Sequence, residues 1–511
     1  MMTVGTVQCE YGHATLGIDV AAPRLSWHLC DERRGARQSA YQVLVASSRA
    51  VLDSDTGDVW DSGRVESEQS IHIVYAGAAL ASRQRVHWKV RVWDADGAPS
   101  PWSEPATWEM GLRDRADWQA QWIAAPLAGG PWTTVPCPFM RKEFACKKAV
   151  VQARLYVTAL GLYECWLNGQ RVGDDVLAPG WTDYHKRVQY RTYDVTPLVQ
   201  RGANALGAVL GDGWYCGHVE WRSRQRYGDR PRLLAQLELT HKDGTRTTVC
   251  SDGSWRAAFG PLLEADLMMG ESYDARLEFI DWAVPGFADH AWQPVIVCDD
   301  PGIALDAQRG PVVRRMQELP PVADPVKDTR QWRRTKWVFD LGQNMVGWVR
   351  LRASGPAGTT LTIRHAEMLN PDGTIYTANL RSAKCTDHYT LRGGGEEVYE
   401  PRFTFHGFRY VEIMGAPDDM LLTRDSVTGI VIHSDTPRTG SFACSDDLVN
   451  QLQRNIEWGQ RGNFVDIPTD CPQRDERLGW TGDAQVFIRT AAHNMQVAGF
   501  FTKWLQDLVD A

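Results

Sequence analysis

The sequence predicts a multidomain, mainly β protein: a fibronectin III-like sandwich, a jelly roll and a larger β-sandwich, followed by the first helices of an α-helical domain. Three observations lead there. At 511 residues the chain exceeds any single compact domain, and at roughly 100–200 residues per unit three to five are expected. Up to about residue 433 the apolar residues alternate with period two between turn signals. From Ser445 the period becomes helical.

The first region, taken as 1–123, shows its character in Val86-His87-Trp88-Lys89-Val90-Arg91-Val92. The valines and Trp88 share one face of a strand while His87, Lys89 and Arg91 share the other, as in a half-buried strand. The turn Asp94-Ala95-Asp96-Gly97 follows. Residues 124–136, rich in Ala, Pro and Gly, read as a linker.

The second region, 137–300, is densest in strand residues from Ala153 to Glu164. Asn168-Gly169, set between apolar residues, signals a type I′ hairpin, because both central positions need positive φ. Gly211-Asp212-Gly213 is expected to be a tight loop with no helix behind it, not a nucleotide cradle. Trp166, Trp181, Trp214 and Trp221 suit sandwich packing better than a sugar platform. The strand order resembles the jelly-roll domains attached to many glycoside hydrolases.

The third region, 301–438, offers, after the proline-rich seam Leu319–Pro325, strands at Phe339–Asn344, Leu361–Arg364 and Phe408–Ile413, with a hairpin turn at Gly393-Gly394-Gly395. The last region, 439–511, carries three helical stripes. They are Leu448, Leu452 and Ile456 behind an N-cap at Ser445; Ala484, Phe487, Ile488 and Ala491; and Val497, Phe500, Phe501, Trp504, Leu505 and Leu508. Such stripes need partner helices, so these are expected to be the beginning of a helical domain.

Between the first two helical segments, residues Asp466 to Asp483 crowd five carboxylates, Arg474, Arg477 and Trp480 into a loop that Pro468 and Pro472 keep out of helix. Glycoside hydrolysis needs one protonated carboxyl and one ionised carboxylate, and clustered acids beside an indole can supply such unequal groups. A solvated loop with internal ion pairs is the alternative reading.

The run Asp470-Cys471-Pro472-Gln473-Arg474-Asp475-Glu476-Arg477-Leu478-Gly479-Trp480-Thr481-Gly482-Asp483-Ala484-Gln485 closely resembles the signature of bacterial α-L-rhamnosidases of glycoside hydrolase family 78. The order of regions resembles that family's as well. The resemblance implies an (α/α)6 toroid as the catalytic domain and an inverting hydrolysis of terminal non-reducing α-L-rhamnose. Glu476 would be the general acid, with Asp470, Arg474, Trp480 and Asp483 lining the rhamnose subsite. The family's general base is a glutamate later in the toroid, whereas residues 484–511 offer only Asp507 and Asp510 as acids. The chain as given is therefore expected to be truncated within the catalytic domain and to lack its base. The rival readings are a non-catalytic carbohydrate-binding fragment and a related toroid glycosidase acting on another sugar.

Other signals are weaker. The net charge of -8, from 55 basic and 63 acidic residues, argues against a nucleic-acid binder. The 11 cysteines lack metal-type spacing and are an odd number, so reduced thiols are expected, Cys471 with a structural role. His365 reads as a strand histidine, and no metal or cofactor is assigned. No basic leader or membrane-length apolar run is seen, so a cytoplasmic location and no membrane contact are expected. The expected partner is a rhamnoside, and a homodimer is left open.

Overall fold

Residues 1–12, 14–328 and 335–511 are described by a computed structural model, in which the chain divides into two units. One comprises 1–119 with 190–192 and 305–309, the other the remainder.

In the first unit the strand Gln38–Ala46 pairs antiparallel with Arg85–Asp94, Val43 opposite Val90, and the latter pairs with Ala106–Met110. A second sheet is built on Thr3–Cys9 and Arg24–Cys30. Trp27, Trp88, Trp108, Val43 and Val90 fill one buried cluster with residues of both sheets. The alternation of residues 86–92 is as expected for Val86, Trp88, Val90 and Val92, but Lys89 on the opposite face is also buried. Its ammonium pairs with Asp55 and lies over the Trp102 ring, so an aromatic cover replaces solvent there.

In the second unit two sheets form a sandwich. Val150–Leu160 pairs with Arg232–His241, Val157 opposite Ala235, and Pro138–Cys146 pairs with Gly202–Gly211, Met140 opposite Ala208. Leu155, Val157 and Leu237 of one sheet share a core with Met140, Tyr163 and Leu210 of the other. Burying each such side chain stabilises by roughly 1.5–3 kcal/mol. Asn168 and Gly169 take φ of 52° and 80° and connect paired strands, the expected I′-type backbone. The Gly211–Gly213 loop differs from expectation, because one helical turn, Gly213–Cys216, follows it. Gly213, at φ 53° and closely packed on Leu162, allows that turn. Trp214 is buried and stacks on Trp181, whereas Trp221 is 54% exposed.

Among the described residues the largest sheet has 11 strands. Its long strand Lys336–Ser354 pairs with His406–Met414 and with Val427–Ser434. A Cβ at Gly347 would lie 1.8 Å from the Ile430 carbonyl oxygen, so the register there requires glycine. Phe339, Leu351, Ile363, Phe408 and Val411 pack its core. The sheet also takes in Asp175–Val176, Leu262–Asp266 and Gly270–Asp274, strands from earlier in the sequence.

The three long helices among the described residues are α1, Asp447–Asn463; α2, Thr481–Asn494; and α3, Ala498–Asp510. The N-cap of α1 is Asp446, one residue past Ser445, and its carboxylate accepts from the Leu448 and Val449 amides at 2.9 and 3.3 Å. A polar side of α1 is buried. Gln460 donates to the Ala491 carbonyl, Asn494 donates to Gln460, and Arg438 pairs with Glu457. Leu448 and Leu452, members of the apolar stripe, are exposed. In α3, Phe500, Phe501 and Trp504 pack inward beside Phe464, while Leu505 is exposed.

Candidate active site

The loop between α1 and α2 is held at its start and in its middle. At its start the two-residue strands Phe464–Val465 and Ile467–Pro468 turn back on each other around Asp466, at φ 67°. The Asp466 carboxylate accepts from the Trp181 amide at 2.7 Å and from Lys503 of α3 at 2.8 Å. A Cβ on Gly180 would lie 2.3 Å from Asp466 Oδ1, so this junction also needs glycine. In the middle, the buried Arg477 guanidinium lies over the Phe405 ring and donates to the Leu267 and Phe405 carbonyls, each at 2.7 Å. It is the nail that fixes the loop to the large sheet.

That fixation imposes an unusual backbone on the neighbour. Glu476 has φ 101° and Arg477 φ 54°, a region few residues other than glycine occupy, and two in succession are held there by the contacts around them. The Glu476 amide donates to the Glu220 carbonyl oxygen at 3.2 Å. Its side chain is buried: Oε1 accepts from the Trp480 indole at 2.9 Å, Oε2 pairs with Arg474, and Arg381 lies 3.9 Å away. Trp480 is therefore a hydrogen-bond donor to Glu476 as well as a ring, and it remains 42% exposed.

Asp470 completes the group. Its carboxylate accepts from the Leu478 amide at 3.2 Å, from the Cys471 thiol at 3.0 Å and from Arg474 at 3.3 Å. Burial, with the Glu476 charge adding to it, pushes the Asp470 carboxyl above its ordinary range, against the opposing pull of those donors and of Arg474. The Cys471 thiol is pushed up to about 12, chiefly by burial, so it stays a neutral donor as a structural thiol should. All 11 cysteines are free.

Four of the five residues singled out, Asp470, Arg474, Glu476 and Trp480, thus come together. Asp483 stands on the first turn of α2, exposed, and shares with Asp470 a cleft of about 540 Å³ between α1 and α2. That volume lies within the roughly 300–1,000 Å³ of small-molecule sites. Gln460, Asn463 and Asp470 supply polar atoms to it, and Ile456 and Phe487 apolar wall. Oxygens of Asp470 and Glu476 lie within 4.8 Å of each other, closer than the roughly 6.5–9.5 Å that admits a water between an inverting pair. Asp507 and Asp510 are bound up in ion pairs, Asp507 with Lys503 at 2.9 Å and both with Arg187.

Reading the sequence alone missed Glu220, Arg381 and Ser382, whose side chain donates to Asp475 at 2.7 Å. They arrive from loops and turns distant in sequence, and no local signal marks them. His365 is a buried strand histidine as expected, but His406 and Asp387 join it from adjacent strands. His406 Nε2 lies 3.2 Å from both Asp387 oxygens, and the two imidazoles stack at 4.1 Å. This trio and the Asp470, Cys471, Glu476 group each bring metal-type donor atoms within 4.8 Å of one another. Each already contains its own counter-charge, His406 facing Asp387 and Arg474 facing Glu476.

Comparison with known proteins finds matches in each region of the chain. Residues 148–317 match the family described as alpha-L-rhamnosidase N-terminal domain, 330–433 the bacterial alpha-L-rhamnosidase concanavalin-like domain, and 437–511 the bacterial alpha-L-rhamnosidase 6 hairpin glycosidase domain. Residues 4–114 match a Rha78A-like N-terminal immunoglobulin domain. An alpha-L-rhamnosidase of Streptomyces avermitilis is 42% identical over 100% of this chain and 65% of its own length. One from Formosa agariphila is 42% identical over 96% of this chain and 54% of its own. The chain thus spans between half and two thirds of these relatives. The crystal structure of the Streptomyces avermitilis protein complexed with L-rhamnose superposes with a TM-score of 0.95, covering 100% of this chain and 65% of that one. That of the Dictyoglumus thermophilum alpha-L-rhamnosidase gives 0.93 at 38% identity, covering 100% and 57%.

Proposed function

The chain belongs to the bacterial α-L-rhamnosidase family, and from that premise we propose that its 470–483 loop binds terminal α-L-rhamnose and carries the general acid of an inverting hydrolysis. Glu476 gives its proton to the glycosidic oxygen as the bond to C1 breaks. A water attacks C1 from the opposite face and loses its proton to a second carboxylate. Asp470 and Arg474 hold sugar hydroxyls, Asp483 does so from the far wall of the cleft, and Trp480 sets its ring against the sugar's apolar edge.

The observation that carries this reading is the convergence of Trp480, Arg474 and Asp470 on a buried Glu476 held at positive φ. The base is assigned to none of residues 484–511, because Asp507 and Asp510 serve ion pairs. Asp470 is excluded by its closeness to Glu476.

A second reading, a carbohydrate-binding unit without turnover, is favoured by the exposed apolar side chains Leu448, Leu452 and Val486 on α1 and α2, which show helical faces with no cover among the described residues. Release of nitrophenol from p-nitrophenyl α-L-rhamnoside by the 511-residue chain separates the two. Turnover abolished by Glu476→Gln supports catalysis, and rhamnose binding without turnover supports the second reading. Turnover untouched by Glu476→Gln contradicts the acid assignment.

A further inference from the structure

A general acid has to carry a proton, yet the partners of Glu476 are those of an anion. Its Oε2 pairs with Arg474, Arg381 Nη1 stands 3.9 Å from the same oxygen, and the Trp480 indole donates to Oε1. Guanidiniums and N–H donors prefer a carboxylate to a carboxylic acid. The acids facing this group are Asp470, with an oxygen within 4.8 Å of Glu476, and Asp475, which shares both arginines with it. The Cys471 thiol is neutral, and the Glu220 carboxylate pairs with Arg222 and Arg226 instead.

Asp475 is held on one side only. It is 5% exposed, and its Oδ2 accepts from the Ser382 hydroxyl at 2.7 Å and from the Ser382 amide at 3.3 Å. Its Oδ1 is buried and accepts no hydrogen bond among the described residues, although Nη1 of Arg474 and Nη1 of Arg381 each stand 3.8 Å away. A buried carboxylate oxygen without a donor is costly, and such a group calls for an explanation. We propose that Asp475 is a positioning residue for the acid step: its Oδ1 is the seat to which the Arg474 guanidinium passes when Glu476 takes up its proton. The inference rests on the assignment of Glu476 as general acid.

The distances make the exchange small. Arg474 Nη1 already lies between the two carboxylates, so a movement of about 1 Å brings it from 3.8 Å to the roughly 2.7–2.9 Å of a charge-assisted hydrogen bond with Asp475. Its Nη2 can stay on Asp470, now 3.3 Å away. Arg381, with its side chain 54% exposed and its Nη1 at 3.8 and 3.9 Å from the two acids, can make the same exchange. Ser382 meanwhile keeps the other Asp475 oxygen in place. The proton enters Glu476 from solvent and leaves to the glycosidic oxygen as the bond to C1 breaks. Glu476 is then an anion again, and Arg474 returns to it. Without the Asp475 charge both guanidiniums bear on Glu476 alone, and its protonated form is disfavoured.

The test is a carbon NMR titration of the 511-residue chain labelled at the glutamate carboxyl carbons, with the Glu476 signal identified by its loss in Glu476→Gln. It reads the protonation midpoint of Glu476 and needs no turnover. Asp475→Asn keeps the shape and the Ser382 contact while deleting the charge, and should lower that midpoint by about one pH unit or more. Ser382→Ala keeps the charge and should move it by less than about 0.3 unit, which separates the charge of Asp475 from a general loosening of the loop. Arg381→Gln, at an exposed side chain, should raise the midpoint, and it carries the test if Asp475→Asn fails to fold. A midpoint unchanged in Asp475→Asn, or unchanged or lowered in Arg381→Gln, overturns the proposal and leaves the acid assignment standing. The acid assignment itself falls on a different result, turnover untouched by Glu476→Gln.

Discussion

The Trp480 indole nitrogen donates to Oε1 of Glu476 at 2.9 Å, which ties the exposed ring to the buried carboxyl. The ring and the donor can be separated. Trp480→Phe keeps an apolar face and deletes the hydrogen bond, and a hydrogen bond to a carboxyl that must be protonated to act contributes about 0.5–1.5 kcal/mol. Hydrolysis of p-nitrophenyl α-L-rhamnoside should fall about two- to tenfold while rhamnose affinity, measured by calorimetry, changes little. Trp480→Ala should weaken both.

Arg477 is expected to matter for the loop's position rather than for contact with sugar. Replacing it by Met leaves the buried Leu267 and Phe405 carbonyls without their donor, at a cost of about 1–3 kcal/mol for each group left unsatisfied. Hydrogen exchange should show residues 470–480 losing protection before the large sheet does. Uniform loss of protection across the second unit would contradict a role confined to the loop.

Stability should decline toward alkaline pH. The His406 imidazolium is raised to about 9 in the folded chain, burial lowering it but the Asp387 carboxylate overriding that. Its folded value exceeds its ordinary 6.5, so its contribution is complete below about 6.5 and is lost as pH rises through 9. Glu271, raised to about 8 from 4.5 mainly by burial, acts in the same direction between those values. The melting temperature should therefore fall between about pH 6 and 9, and Glu271→Gln should flatten the part below pH 8. Asp387 is depressed by the His406 charge against its burial, so its contribution is present above about 4 and fails in acid. A melting temperature that rises from pH 6 to 9 would contradict these assignments.

Gly180 tests the anchorage at the loop's start. At φ 96°, with Asp466 against it, Gly180→Ala should cost roughly 1–3 kcal/mol and loosen the Asp466 to Lys503 contact. Limited proteolysis near 466 is the readout, and an unchanged pattern would show the carboxylate has room to yield.

Much of this was legible in the sequence where the signal is local. Period-two runs gave the strands around Trp88 and Phe339, Asn168-Gly169 gave its turn, and the crowded carboxylates between two helical stripes located the loop. What escaped depends on register between distant strands. His365 reads alone in sequence, yet Asp387 and His406 lie on neighbouring strands and decide its surroundings. The stripe of α1 is real but lies largely exposed, because Gln460, Glu457 and Asn494 make the buried contact instead. Lys89 was expected on an open face because Trp102 comes from beyond the turn. Arg381 carries no sequence signal at all.

The central claim is that the 470–483 loop is a rhamnose subsite, and calorimetric titration of the 511-residue chain with L-rhamnose tests it most directly. Binding that Asp470→Asn and Arg474→Gln each weaken by about tenfold or more, with the fold intact by circular dichroism, is the predicted result. Rhamnose affinity indifferent to both substitutions would contradict it.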